Sequence, residues 1–403
     1  MGVASENSAY VWKFSFLVLL GLGLRLALAA TVPPAYDIDA WTHYSHYMGQ
    51  GKFSPYDHVC RYKYSPVWFW VISAVAWLRD HAGVSFVFGI RAFVILIDVL
   101  ILVLLDQICK HYQYPRLRSL GILAAFFLNP VSIQLSGYSG QFDNTAVLFA
   151  LLAWALAVFA HEPRWLKSAL AFACSLCFKH FTAMLVPLFA FAQKKISRTL
   201  FFMLIVPSIF AAILFPYYLA EPHWVFKNVF LYNLHAGYWG WSGVICRSVL
   251  FFTGFDLLQQ PWFPLLNYFN SLLYLAMLIA SYWIVKKYDL LDSILIMFLI
   301  FYSFTTQISP QYTVWIIPFA ALRPNRYFYA YSLIGGIQVG TFYYCHHFWF
   351  RKIDLMGTTP NLMPETFILF RYLTWVVCVL WLLHLTGITR RLGTLLPGKR
   401  PAL

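Results

Sequence analysis

Charge is what this sequence has least of. Only 11% of its 403 residues are Asp, Glu, Lys or Arg, against 61% hydrophobic and 20% aromatic. That is too little polar surface to solvate a soluble domain of this size, so the composition points to an all-α polytopic membrane protein. Acids are scarcer than bases, 15 against 29, which leaves a net charge of +14. The excess lies in short clusters between apolar runs rather than along one polar face, a pattern of membrane topology that excludes nucleic acid as a partner. There is no Asn-x-Ser/Thr sequon to mark an external loop. Seven cysteines are scattered without metal-ligand spacing. Cys60, Cys246 and Cys345 fall in segments expected outside, where a disulfide stays open. Nor is there the repeat of two matched halves that marks many transporters.

What is present is a series of apolar runs at about 13–30, 86–105, 120–135, 145–160, 199–219, 265–285, 327–343 and 367–385, each near the ~20 residues that a crossing needs. The first, with Lys13 before it and Ala27 and Ala29 near its end, has the outline of a signal peptide. It is read as a retained helix, whose surface the other spans need. Residues 168–191 lie between "HEPRWLK" and "QKKISR", and a single crossing would put one basic loop outside. A hairpin of two short helices turning at Lys179 and His180 keeps both inside. The same reasoning makes 290–322 a pair that turns at "TTQISPQ". The segment 64–78 is expected to lie at the interface as a Trp-rich helix. About twelve spans result, with both termini cytoplasmic. One domain, 1–403, carries external loops at 31–85, 220–264 and 343–366.

This topology gathers the awkward polar residues on the external face. Asp37 and Asp39 open "AYDIDAWTHYSHYM", where one acid could cap a helix and two suit chemistry. Asp39 and His43, four apart, share a face if the segment is helical. Arg61 and Lys63 lie in the same loop, as solvated cations or as anion ligands. Lys179 and His180 sit at a hairpin tip, where ionisable groups are costly unless paired or functional. Arg91 and Asp98 share one helix face and are expected to neutralise partners within the bundle. In "GYSGQFDN", Asp143 or Asn144 could cap the next helix, whereas Gln141 is left for a polar contact. Gln307 and Gln311 could bind hydroxyls, with Pro310 starting a helix. His346 and His347 are adjacent and lack a third ligand, so no metal is expected. Acids, amides and cations in an external aromatic cavity suit a phosphate-linked sugar. Since nucleotide sugars are not normally found on that side, the donor would be a polyprenyl phosphate carrying one sugar.

The chain resembles the GT-C superfamily of membrane glycosyltransferases over most of its length. The likeness is carried by the acid pair Asp37 and Asp39 after the first helix. "DID", "RYKYSP", "FFLNP", the lysine of "CFKHF" and "SPQYTVW" are similar to the catalytic subunits of GPI mannosyltransferase I. "DIDAWTHY" and "GQFDN" resemble, less closely, segments of the dolichyl-phosphate-glucose glucosyltransferases. The chain departs from the first at "GQFDN", and from the second at Gln307 and Gln311, which stand where those enzymes have histidines.

The resemblance implies a GT-C fold and an inverting transfer of a hexose, with mannose favoured, to a hydroxyl of a glycolipid or lipid-linked oligosaccharide. Asp37 would take the acceptor proton. Arg61, Lys63, Lys179 and His180 would face the donor phosphate. Asp39 and His43 would position the acceptor or tune Asp37, and Gln141, Asp143, Gln307 and Gln311 would contact substrate. No cofactor is expected. Membrane lipids and a small accessory subunit complete the expected partners. The rival readings are a lipid or sugar transporter and a noncatalytic subunit of a glycosylation complex.

Overall fold

The computed structural model of the chain describes residues 2–49, 51, 54–57, 62–159, 164–193, 195–231, 237, 239–345 and 365–388. Among them every regular element is a helix. The order is α1 (Gly2–Thr31), α2 (Tyr36–Gly49), α3 (Pro66–Ala82), α4 (Phe86–His111), α5 (Arg116–Phe127), α6 (Pro130–Gln134), α7 (Asp143–Val158), α8 (Trp165–Phe178) and α9 (Val186–Phe191). Then come α10 (Ile196–Ala220), α11 (Pro222–Val225), α12 (Gly240–Thr253), α13 (Leu266–Lys287), α14 (Leu290–Phe304), α15 (Ile317–Ala321), α16 (Arg326–Cys345) and α17 (Glu365–Leu385).

Four helical stretches, Ser8–Thr31, Phe86–His111, Ile196–Ala220 and Tyr268–Lys287, are long and apolar enough to cross a membrane. Arg116–Phe127 and Pro130–Ser139, bent by 40°, make a fifth if they count as one span. This falls short of the twelve expected crossings. Five of the remaining apolar helices have only 10–17 residues, and at 1.5 Å per residue even the longest reaches about 25 Å, under the ~30 Å of a hydrocarbon core.

Both expected hairpins form. The Phe172 and Phe189 rings lie 4.6 Å apart, where one continuous helix would hold them about 25 Å apart, so the chain reverses at Lys179 and His180. In the second, Phe298 meets Phe319 at 6.0 Å. Its ends are tied by Arg323, which pairs with Asp289 and Asp292 at 2.6 Å each. Pro310 opens a short 3-10 turn after the tip. The two tips meet, with Phe181 stacked on Trp315 at 3.4 Å and 4° between the rings.

Small residues let α7 and α8 approach closely. Ser168 donates to the Ala153 carbonyl at 2.8 Å and Ser175 to that of Ala146 at 2.6 Å, an antiparallel register in which hydroxyls bridge backbones. Helix α3 starts at the Ser65 cap and Pro66 and ends at Gly83 with φ +68°, the ordinary stop signals. Between α6 and α7 the backbone widens into a π turn, Leu135–Ser139, and ends at Gly140 with φ +64°. A Cβ on Gly140 would sit 3.0 Å from Ile38 and 3.2 Å from Ile90. Only glycine fits both the torsion and the space, and this turn brings Gln141 and Asp143 beneath α2.

Candidate functional site

Asp37 and Asp39 both lie in the first turn of α2, which starts at Tyr36. The cap position therefore precedes both acids, and the capping reading of either is corrected. Asp37 is half-buried and Asp39 exposed. The Asp37 carboxylate accepts a hydrogen bond of 2.8 Å from the Tyr343 hydroxyl at the far end of α16. Burial raises the Asp37 pKa above the ordinary carboxylate range; the neighbouring Gln141 amide, Tyr343 and the more distant Lys179 pull it back partway, and Asp143 pushes it up. A carboxylate perturbed in this direction is suited to accept a proton near neutral pH.

Arg91 fixes the path into α2. Its guanidinium donates to the carbonyls of Ala29 at 3.0 Å, Val32 at 2.8 Å, Pro33 at 2.9 Å and Tyr138 at 2.8 Å. It thereby ties the end of α1 and the start of the loop into α2 to the π turn ahead of Gln141. Asp98 does not pair with it. Asp98 instead accepts from Arg25 at 2.8 Å, with both side chains fully buried, and from Ser132 at 3.0 Å and Asn144. The bundle therefore neutralises Asp98 through Arg25, while the Arg91 charge is met by backbone carbonyls.

The second acid of the site is Asp143. One oxygen accepts from the Lys179 ammonium at 2.5 Å and the other from the Trp315 indole at 2.5 Å, all three side chains being buried. Neither Asp143 nor Asn144 caps α7: the cap position is Phe142, without a side-chain bond, and Asn144 is engaged with Asp98. Lys179 is also surrounded by the rings of Phe142 at 4.9 Å, Tyr64 at 5.3 Å and Tyr312 at 5.3 Å. Cation–π attraction thus adds to the ion pair. Trp68 stacks on Phe142 at 4.1 Å with Trp41 edge-on, packing α2 and α3 onto this layer.

Below the layer opens a cavity of about 650 Å³. It is lined by the polar residues His180, Asn270, Thr305, Gln307 and Tyr312 and by apolar residues of α10, α13 and the first hairpin, among them Met203, Pro207 and Leu278.

The structure thus joins Asp37, Gln141, Asp143 and Lys179 in one cluster, and His180 and Gln307 in the lining of the cavity. Gln311 is buried nearby and accepts from Ser309. His43 and Asp39 lie together on the exposed face of α2, and Lys63 is half-buried beside Tyr62 and Tyr64. Arg61, His346, His347 and Cys60 lie outside the described residues, as do most of 343–366 and the Cys345 side chain. Among the described residues no three His, Cys, Asp or Glu side chains converge as metal ligands. Sequence reasoning missed Tyr343, Trp315, Asn270 and Arg25. Trp315 lay inside a quoted motif, but nothing local distinguishes the others.

No family model matches the chain, and no curated protein matches it either. The functional reading therefore rests on the site's chemistry and on the short motifs.

Proposed function

We propose that this chain is an inverting membrane glycosyltransferase of the GT-C type, with about twelve helices in the membrane and its site on the lumenal, periplasmic or extracellular side. It moves a hexose, with mannose favoured, from a polyprenyl phosphate to an acceptor hydroxyl. The observation that carries the reading is Asp37: an acid with a raised pKa, held by Tyr343 and within electrostatic reach of the buried Lys179 and Asp143. A proton acceptor, in a protein whose bundle also holds a mainly apolar cavity of about 650 Å³, suits attack on a lipid-linked sugar.

In the reaction, Asp37 takes the proton of the acceptor hydroxyl as its oxygen bonds to the anomeric carbon. The bond from that carbon to the phosphate oxygen breaks, and the lipid phosphate leaves with the electron pair. Charge grows on the phosphate in the transition state, so nearby donors and cations accelerate the step. Lys179 is already paired with Asp143 and acts through its field, and Lys63 lies in the same loop as Asp37. Asp39 and His43, on the outer face of α2, suit contact with the acceptor. The test is donor consumption by purified full-length protein supplied with a polyprenyl-phosphate hexose and a lipid acceptor. Hexose must appear on the acceptor, and Asp37→Asn must suppress it.

A further inference from the structure

A second cavity, of about 920 Å³, lies at the far end of the helices from Asp143. Helix α7 starts at Asp143 and reaches this cavity with Ala157 and Val158, about 22 Å further along at 1.5 Å per residue. Its walls are the ends of α7, α9 and α13 and the starts of α10 and α14, through Val158, Phe191, Lys286, Ile196 and Leu290. Ile196 is 74% exposed and Tyr282, another lining residue, 41%. The cavity therefore opens at the protein surface and is not sealed within the bundle.

The space has a structural cause. The second arm of the first hairpin, His180–Phe191, is only about 20 Å long, under the ~30 Å of a hydrocarbon core. The longer α10 and α13, of 25 and 22 residues, both pack on its α9 segment. Where the arm ends, a lateral groove is left between them. Its rims are apolar: Ile196, Leu200 and Leu204 recur every fourth residue on α10 and are exposed, as are Leu275, Ile279 and Trp283 on α13. Residues four apart share a helix face, so each rim continues from the cavity along its helix.

The mouth of the groove is cationic. Among the described residues no carboxylate pairs with the Lys286 ammonium. It lies instead over the Tyr282 ring at 4.1 Å and within 5.6 Å of the Trp283 ring, contacts that steady a cation and leave its charge unneutralised. The nearby acids Asp289 and Asp292 are both taken by Arg323 at 2.6 Å, and the second Asp289 oxygen accepts from the Asp292 N–H at 3.0 Å. Helices α8 and α10 begin side by side, Trp165 meeting Phe201 at 4.9 Å, and bring Lys167, Lys195 and Arg198 to the same end. A cationic mouth on an apolar groove is complementary to an anionic head on hydrocarbon chains.

We infer that this cavity holds the head of a net-anionic phospholipid, with its phosphodiester at Lys286 and its acyl chains in the groove between α10 and α13. The lipid is a structural ligand distinct from any sugar donor, since its site lies at the opposite end of α7 from the Asp37 cluster. Only its assignment to the cytoplasmic leaflet rests on the proposed topology.

The test uses the full-length protein in detergent and reads apparent affinities from lipid-induced thermal shifts. The probes are phosphatidylserine, phosphatidylcholine with the same acyl chains, and glycerophosphoserine, which carries the head without chains. Wild type should bind phosphatidylserine at least about five-fold more tightly than phosphatidylcholine, the effect of one basic residue on an anionic lipid, and equimolar glycerophosphoserine should not displace it. Lys286→Gln should lower the phosphatidylserine affinity about five-fold and leave that for phosphatidylcholine unchanged, whereas Lys286→Arg should keep the preference. Lys286 is exposed, so both variants should fold. Lys287 is outside the cavity lining, and Lys287→Gln should change the preference by about two-fold or less, as expected of a screened surface charge. Equal binding of the two lipids by wild type, displacement by glycerophosphoserine, or an unchanged preference in Lys286→Gln overturns the inference. So does an equal loss in Lys287→Gln, which would mean that a diffuse basic belt, and not this cavity, attracts the lipid. No probe contains a sugar, so the result is independent of whether hexose is transferred.

Discussion

Tyr343 donates to Asp37 at 2.8 Å across 306 positions of sequence. The bond joins the end of α16 to the first turn of α2 and holds the carboxylate over the layer of Gln141 and Asp143. Because Tyr343 lowers a pKa that burial has raised, Tyr343→Phe should move the acid limb of the pH–rate profile upward. A hydrogen bond to a charged group is worth about 1.5–3 kcal/mol, so the limb should shift by about one to two pH units. Turnover well above the limb should change far less.

Asp37→Asn should lower turnover ~10²- to 10⁴-fold, the range for loss of one positioned base. The stability sign is the reverse. A carboxyl whose folded pKa lies above its unfolded value binds more protons in the folded state between those two values, so stability falls as pH rises through that window. Asn removes this penalty. The variant should therefore melt at or above the wild-type temperature at neutral pH, and a large drop in melting temperature would show that Asp37 holds the fold instead.

Arg91→Lys keeps the charge but replaces a planar five-donor fork by a point with three donors. It cannot serve four carbonyls on two segments. Because misplacing a catalytic group by ~1 Å costs on the order of 10²-fold, turnover should fall by about that much with the protein still inserted and folded. Near-normal turnover would show that the start of α2 is held by other contacts.

How much of this was legible beforehand follows from the range of each interaction. The hairpins at 179–180 and 305–309 could be read because basic flanks and short apolar runs are local signals. Asp37 could be read because an acid beside an apolar run is conspicuous. The engagement of Asp143 with Lys179 and Trp315 could not, since each residue has an ordinary local explanation as cap, tip cation or belt aromatic. Arg25 was hidden within an apolar run, and its role depends on Asp98 lying on a different helix. Twelve crossings were expected where four helical stretches, or five with the bent pair, are long and apolar enough to span, because hydropathy does not separate a long apolar helix from a shorter one. Asn270 gives no signal until the second hairpin fixes its amide.

Asp143→Asn leaves the Lys179 ammonium buried without its counter-ion. Breaking a buried pair from one side costs about 3–5 kcal/mol, so this variant should lose that much stability or fail to accumulate. Adding Lys179→Met removes the orphaned charge and should recover a substantial part of the loss. A cycle in which the two effects simply add would mean that the pair contributes no coupling.

The expected topology is open to a labelling test. Single cysteines at Lys287 and Arg323, in an otherwise cysteine-free chain, should react with an impermeant maleimide from the cytoplasmic side alone. Cysteines at Ser54 and Asp256 should react from the opposite side alone. Reaction of all four from one side would contradict the arrangement that places Asp37 outside.

The most direct test of the central claim is a paired assay of wild type and Asp37→Asn, purified at full length, with a radiolabelled polyprenyl-phosphate hexose and a mixture of glycolipid and lipid-linked glycan acceptors. The account predicts that wild type moves label from the donor to one acceptor, that free lipid phosphate appears in equal amount, and that Asp37→Asn does so at least ~10²-fold more slowly. Movement of intact donor across the bilayer without cleavage, or equal transfer by both proteins, would contradict it.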